Sequence, residues 1–163
     1  MIIRPLRLED AKDLASIYSY YVTHTPITFD TVPPDEKNMN LRLNDIYGIF
    51  PAFIVEENGH IVGYCYAHTW KEKAAYNHTV ETTIYIHPEY TQKGYGTLLM
   101  NTLINACREQ NIHTLIACIT YPNPSSIQMH ERLGFKKVSH FKEVGKKFGQ
   151  WLDVVDYELI IQP

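Results

Sequence analysis

A mixed α/β fold, with one central sheet and helices on both faces, is the class this sequence predicts. Three observations point to it. Extended apolar runs alternate with helix-period runs, the element order reads β-α-α-β-β-β-α-β-α-β-β, and no repeat, linker or low-complexity tract divides the chain. At 163 residues the chain can bury one well-formed core, and one domain over residues 1–163 is expected.

Each element has a local reason. Ile2 to Arg7 reads as a first strand. From Glu9 to Thr23, Ala11, Leu14, Ile17, Tyr18 and Tyr21 recur at helical spacing. Thr25 to Pro34 is turn-rich, with Pro26, Pro33 and Pro34. Asp35 is placed to start a polar helix that Gly48 ends. Phe53 to Glu56 and His60 to His68 flank Glu57-Asn58-Gly59, which predicts a hairpin. Thr79 to His87 is the next strand, closed by Pro88. Leu99, Met100, Leu103, Ile104 and Cys107 mark one face of the helix after Gly94. His113 to Thr120 reads as a buried strand. Asn123 caps a helix with Pro124 at its first position, and Gly134 ends it. Phe135 to Val144 and Trp151 to Ile161 are the closing strands, turning around Gly145 and Gly149.

Composition excludes several classes. A net charge of −3 with scattered Lys and Arg gives no basis for binding nucleic acid or an acidic membrane. No apolar run reaches membrane-spanning length, and the N-terminus begins with a strand-like segment rather than a signal peptide. Cys65, Cys107 and Cys118 are odd in number, lack CxxC spacing and sit in apolar runs, which predicts three buried free thiols in a reducing, cytoplasmic setting. No HxxxH or Cys/His spacing suggests a metal site around His68 and His78.

The segment Thr91-Gln92-Lys93-Gly94-Tyr95-Gly96-Thr97 lies between a strand and a helix. The first amides of a helix lack intrahelical acceptors and attract anions, so a phosphorylated ligand is expected there. A P-loop is absent, and Leu99 stands where a dinucleotide fingerprint needs its third glycine. Alone, the Gly-x-Gly turn also suits a helix start with no ligand.

A second block adds specificity: Asn123-Pro124-Ser125-Ser126-Ile127-Gln128-Met129-His130-Glu131-Arg132-Leu133-Gly134-Phe135. Together the two blocks resemble the GCN5-related N-acetyltransferase (GNAT) superfamily, and that resemblance implies acetyl-CoA as acetyl donor. Trp70 to Tyr76, Val80-Glu81-Thr82-Thr83-Ile84-Tyr85-Ile86 and Gly149 to Val154 further resemble phosphinothricin acetyltransferases. Those enzymes acetylate the α-amine of phosphinothricin, methionine sulfoximine or methionine sulfone, and are commonly dimeric, which implies a homodimer. Two positions depart from the pattern. Thr91 replaces the loop's leading Gln or Arg, with Gln92 one place on, and Lys73 stands where Arg is frequent, giving a point charge without a bidentate fork.

The resemblance assigns roles to residues. The amides from Gln92 through Lys93, Gly94, Tyr95, Gly96 and Thr97 would cradle the pyrophosphate. The Ile84-Tyr85-Ile86 backbone, Asn123 and Ser126 would meet the pantetheine arm. Phe29, Lys71, Lys73, Tyr76, Glu81, Thr83 and Tyr85 would line the acceptor pocket. Acetyl transfer needs a base for the amine, donors for the oxyanion and a proton for the thiolate. Glu81 is the candidate base, against a salt-bridged or solvated strand carboxylate. His130, seven residues after Asn123, is the second catalytic candidate, against a structural helix histidine; the step it serves stays open. The reading expects direct transfer in a ternary complex onto a small-molecule amine. Its alternatives are another amine, such as an amino acid, a polyamine or a protein N-terminus, and a non-catalytic acyl-CoA-binding module.

Overall fold

The computed structural model describes residues 1–162. Its strands are β1 (Ile2–Pro5), β2 (Ala52–Glu57), β3 (His60–Thr69), β4 (Thr79–Ile86), β5 (Thr114–Tyr121), β6 (Lys136–Lys147) and β7 (Gln150–Ile160). Its helices are α1 (Ala11–His24), α2 (Glu36–Asn44), α3 (Tyr95–Glu109) and α4 (Pro124–Arg132). The element order is the expected one. One sheet runs β1-β2-β3-β4-β5-β7-β6, with β4 and β5 parallel and the other neighbours antiparallel.

Alternation along the strands sorts side chains to two faces. Val80, Leu115, Ala117 and Val155 face α3, whose Leu99, Met100, Leu103 and Cys107 are fully buried against them. Burying each of the Leu and Met side chains contributes roughly 1.5–3 kcal/mol before chain entropy is counted. Ile54 and Tyr64 face the other way, toward Leu14, Ile17, Tyr18 and Tyr21 of α1 and Met39 and Leu43 of α2. Asn58 and Gly59 take left-handed φ values of 52° and 80°, the geometry of a two-residue hairpin turn. Asp35 caps α2 by accepting from the Asn38 amide at 2.7 Å.

Two boundaries differ from expectation. α2 stops at Asn44, and the chain reaches Gly48 as turns through Ile46 and Tyr47 amides that bond back to Leu43. β6 does not turn at Gly145 but continues to Lys147, and the turn falls at Phe148-Gly149, with φ of 52° and 72°. Gly145 instead sits inside the strand at a register shift, where the Phe29 ring lies across it and leaves no room for a Cβ.

One cysteine also differs. Cys65 and Cys107 are buried, but Cys118 is exposed. On β5 the odd residues point to α3, while Cys118 points to the opposite face. There α1 packs mainly over β3 and β4.

Candidate active site

The site begins where the sheet opens. β4 and β5 pair only from Thr79 with Thr114 to Thr82 with Ala117, and beyond that they part. His87 donates to the Val62 carbonyl at 2.8 Å, so by antiparallel alternation Tyr85 and Thr83 turn their backbone groups to β3. Ile84 and Ile86 turn theirs toward the gap. The Ile86 carbonyl accepts from the Tyr21 hydroxyl, which leaves Ile84 presenting both its groups. Of the three residues expected to meet an extended ligand through their backbone, Tyr85 is therefore placed otherwise. Its side chain packs on the α1 face, 5.0 Å from the Tyr18 ring and 5.8 Å from that of Tyr64.

The start of α3 opens near one end of this gap. Gly94 caps the helix with φ of 86°, and Gln92 has φ of 61°. A left-handed non-glycine residue costs about 1–2 kcal/mol, so this loop stores local strain of the kind found at binding sites. Leu98 makes the helix's first amide bond back to the Gly94 carbonyl at 3.1 Å, and the amides of Tyr95, Gly96 and Thr97 precede it. Gly96 lets α4 approach closely rather than supplying a special φ: a Cβ there would lie 2.9 Å from Met129 Sδ, so that flexible side chain would have to shift. The Tyr95 ring is buried beside Glu57, so its amide alone is offered to a ligand. Lys93 holds its ammonium 4.4 Å over the Tyr90 ring at the mouth of the loop. Gln92 and Thr97 are exposed.

Glu81 lies on the α1 face of β4, opposite His68 on β3. Its Oε1 is 3.9 Å from His68 Nε2, and the same Nε2 is 3.2 Å from Thr83 Oγ1. Burial, followed by the negative charge of Asp156, raises the Glu81 carboxyl above its ordinary value. Burial lowers His68. A carboxylate made more basic and facing a cleft is the electrostatic requirement of a general base.

His130 sits on α4, only 2% exposed. Its Nδ1 lies 2.7 Å from the Ser126 carbonyl, which can only accept, so Nδ1 carries the proton. The Ser126 hydroxyl is 3.3 Å from the same nitrogen, and Phe135 meets the ring edge-on at 5.0 Å. Burial lowers the His130 pKa, keeping the ring neutral and Nε2 an acceptor. Asn123 caps α4 by accepting from the Ser126 amide at 3.3 Å.

Two loops border the Glu81 side of the sheet. The 70–78 loop joins His68's strand to Glu81's; there Lys71 stacks 4.4 Å over Trp70 and 5.5 Å from the Tyr76 ring centre. Lys73 is exposed, and among the described residues neither lysine forms an ion pair. The second loop, 25–34, is pinned at three points. Thr120 donates to the Ile27 carbonyl at 3.0 Å, Lys147 to the Thr28 carbonyl at 2.8 Å, and Tyr18 to Asp30. These anchors hold Phe29 against β6.

From the sequence, His68 is weighed only as a metal ligand, and Asp156 and the loop anchors are not singled out. His68 had a usable signal, since Tyr64, Tyr66 and His68 share a phase in a strand leading to Glu81's neighbour. Asp156 had none, because it reaches this face only through β7 lying beside β5, where it pairs with Cys118.

Residues 3–155 match the family model described as an acetyltransferase (GNAT) domain. The chain is 38% identical over 160 residues to a phosphinothricin N-acetyltransferase of Streptomyces coelicolor, covering 96% of this chain and 94% of that protein. It is 33% identical over 161 residues to an L-methionine sulfoximine/L-methionine sulfone acetyltransferase of Salmonella typhimurium, covering 98% and 94%. The crystal structure of a GNAT superfamily phosphinothricin acetyltransferase from Sinorhizobium meliloti, in complex with AcCoA, superposes with a TM-score of 0.94 at 33% identity, covering 98% of this chain and 87% of that one.

Proposed function

Because this chain belongs to the acetyltransferase (GNAT) domain family, we propose that it moves the acetyl group of acetyl-CoA onto the α-amine of a small acidic amino-acid analogue. Phosphinothricin, methionine sulfoximine and methionine sulfone are the acceptors of this type. The observation that carries the reading is the parting of β4 from β5 between Glu81 and the α3 N-terminus. That opening offers anion-binding amides at one end and a basic carboxylate on the strand beside it. The donor fits what is present: the Gly94 turn is open, with nothing within 4 Å of the position a Cβ would take. Acetyl-CoA supplies an activated thioester. The amides of Tyr95, Gly96 and Thr97 hold its pyrophosphate, and Ile84 pairs its backbone with the pantetheine arm. Glu81 takes the proton from the acceptor's ammonium group, and Lys71 and Lys73 face its acidic end. Transfer is direct, within a ternary complex.

The test is a steady-state assay of CoA release with methionine sulfone, methionine sulfoximine and phosphinothricin, beside lysine and spermidine. The three acidic analogues should give the highest kcat/KM. Preference for a cationic amine would overturn the acceptor assignment, and absence of CoA release with every amine would favour a binding module.

We also propose a homodimer built on β6 and β7. β6 is an edge strand, and Phe141, Val144, Phe148 and Trp151 on this hairpin are all more than half exposed. Such apolar area on a sheet edge calls for a cover. Light scattering should give twice the monomer mass for the wild type, and the F141E/W151E double variant should be monomeric. A monomeric wild type would sink the proposal.

A further inference from the structure

Glu81 must lose each proton it takes before it can serve the next acceptor. The strand register supplies a neighbour for that purpose. His68 lies directly across from Glu81, with Nε2 3.9 Å from Oε1. The imidazole is about a third exposed, so it reaches solvent while its Nε2 stays one water's reach from the carboxylate. Thr83 Oγ1, 3.2 Å away, holds the ring with Nε2 turned to the cleft. Tyr66 braces its other side, ring edge to ring face at 5.7 Å.

We propose that His68 is a positioning and proton-relay residue that empties Glu81 after each transfer; the idea rests on Glu81 acting as base. The acceptor's N–H bond breaks and its proton passes to Glu81 Oε1. At 3.9 Å the two atoms are beyond direct hydrogen-bond reach, so that O–H bond breaks as a bridging water takes the proton and passes one of its own to form the N–H bond at His68 Nε2, and the imidazolium gives the proton to bulk water. No other reactant is consumed. The thermodynamics suit the transfer. Burial raises Glu81 and lowers His68, so the two move toward each other and the exchange comes closer to balance. The ionisable groups facing the pair are few: Tyr66 on His68's own strand, Cys118 on β5 and Asp156 on β7.

Two variants separate relay from scaffold. H68Q keeps a hydrogen-bonding side chain for Thr83 but cannot carry a proton; H68A leaves a hole open to solvent. Both should lower kcat about tenfold or more, with KM for acetyl-CoA unchanged. Added imidazole should restore H68A, and the loss in H68Q should persist although its thermal midpoint matches the wild type. Wild-type kcat in H68Q, or failure of imidazole to restore H68A, would overturn the relay. A further readout needs no turnover. In the ligand-free protein, NMR titration of His68 should move to lower pH in E81Q, because a carboxylate at this distance favours the imidazolium. An unmoved titration would sever the pair, whereas a moved one in a protein that acetylates no amine would count against the proposed function alone.

Discussion

Replacing Glu81 with Gln should cut kcat/KM for the acceptor by about a hundredfold or more, while acetyl-CoA binding stays as in the wild type. The amide has nearly the same shape, so the cleft between β4 and β5 keeps its walls and loses only a proton acceptor. The pH dependence follows from the direction of the shift. Burial, and then the charge of Asp156, raises the Glu81 pKa. The wild type should therefore lose activity as pH falls through that raised value, and the small residual rate of E81Q should lack the same limb. The sign for stability is the reverse. A carboxyl raised in the fold contributes its stability below the unfolded value and loses it as pH rises through the folded one. At neutral pH Glu81 is thus a burden on the fold. E81Q should melt at or above the wild-type temperature, measured by calorimetry at pH 7. A variant that lost both turnover and stability would point to a structural carboxylate, and one that kept full turnover would remove Glu81 as base.

The fold was legible because its determinants are local. Strand and helix periods, the Asn58-Gly59 turn, the Asp35 and Asn123 caps and the Gly134 stop each act over a few residues. The turn between β6 and β7 was misread at Gly145 for a related reason. A glycine usually signals a bend, yet this one is demanded by a ring 116 positions away, that of Phe29. The candidate site divides in the same way. Its motifs lie in two continuous blocks and could be recognised as such. Its surroundings are long-range: Lys147 reaches Thr28 across 119 positions, and Thr120 reaches Ile27 across 93. Asp156 comes to the Glu81 face only because β7 inserts between β5 and β6. The exposure of Cys118 depends on where α1 packs, which no pattern within β5 encodes.

His130 sets the second large effect, and it separates two roles that position in the chain alone leaves open. Its ring is buried, its Nδ1–H is committed to the Ser126 carbonyl, and Phe135 closes over its edge. Replacing it with Ala would leave a cavity and remove the side-chain hydrogen bond, at a cost of about 2–4 kcal/mol, read by denaturant unfolding. Replacing it with Phe keeps most of the volume and should cost about 0.5–1.5 kcal/mol for the lost hydrogen bond. The pH sign is again definite. A histidine lowered in the fold contributes stability above its unfolded value near 6.5 and loses it as pH falls through the folded one. The wild type should therefore lose stability on acidification below that point more steeply than H130F, which has nothing there to titrate. The chemical consequence follows from the same state of the ring. Neutral, with its only N–H engaged, His130 has no proton to give a departing thiolate at pH 7, so H130F should retain turnover within about tenfold. A folded H130F whose kcat fell by about a hundredfold or more would place the ring in the reaction instead, receiving its proton at Nε2 before passing it on.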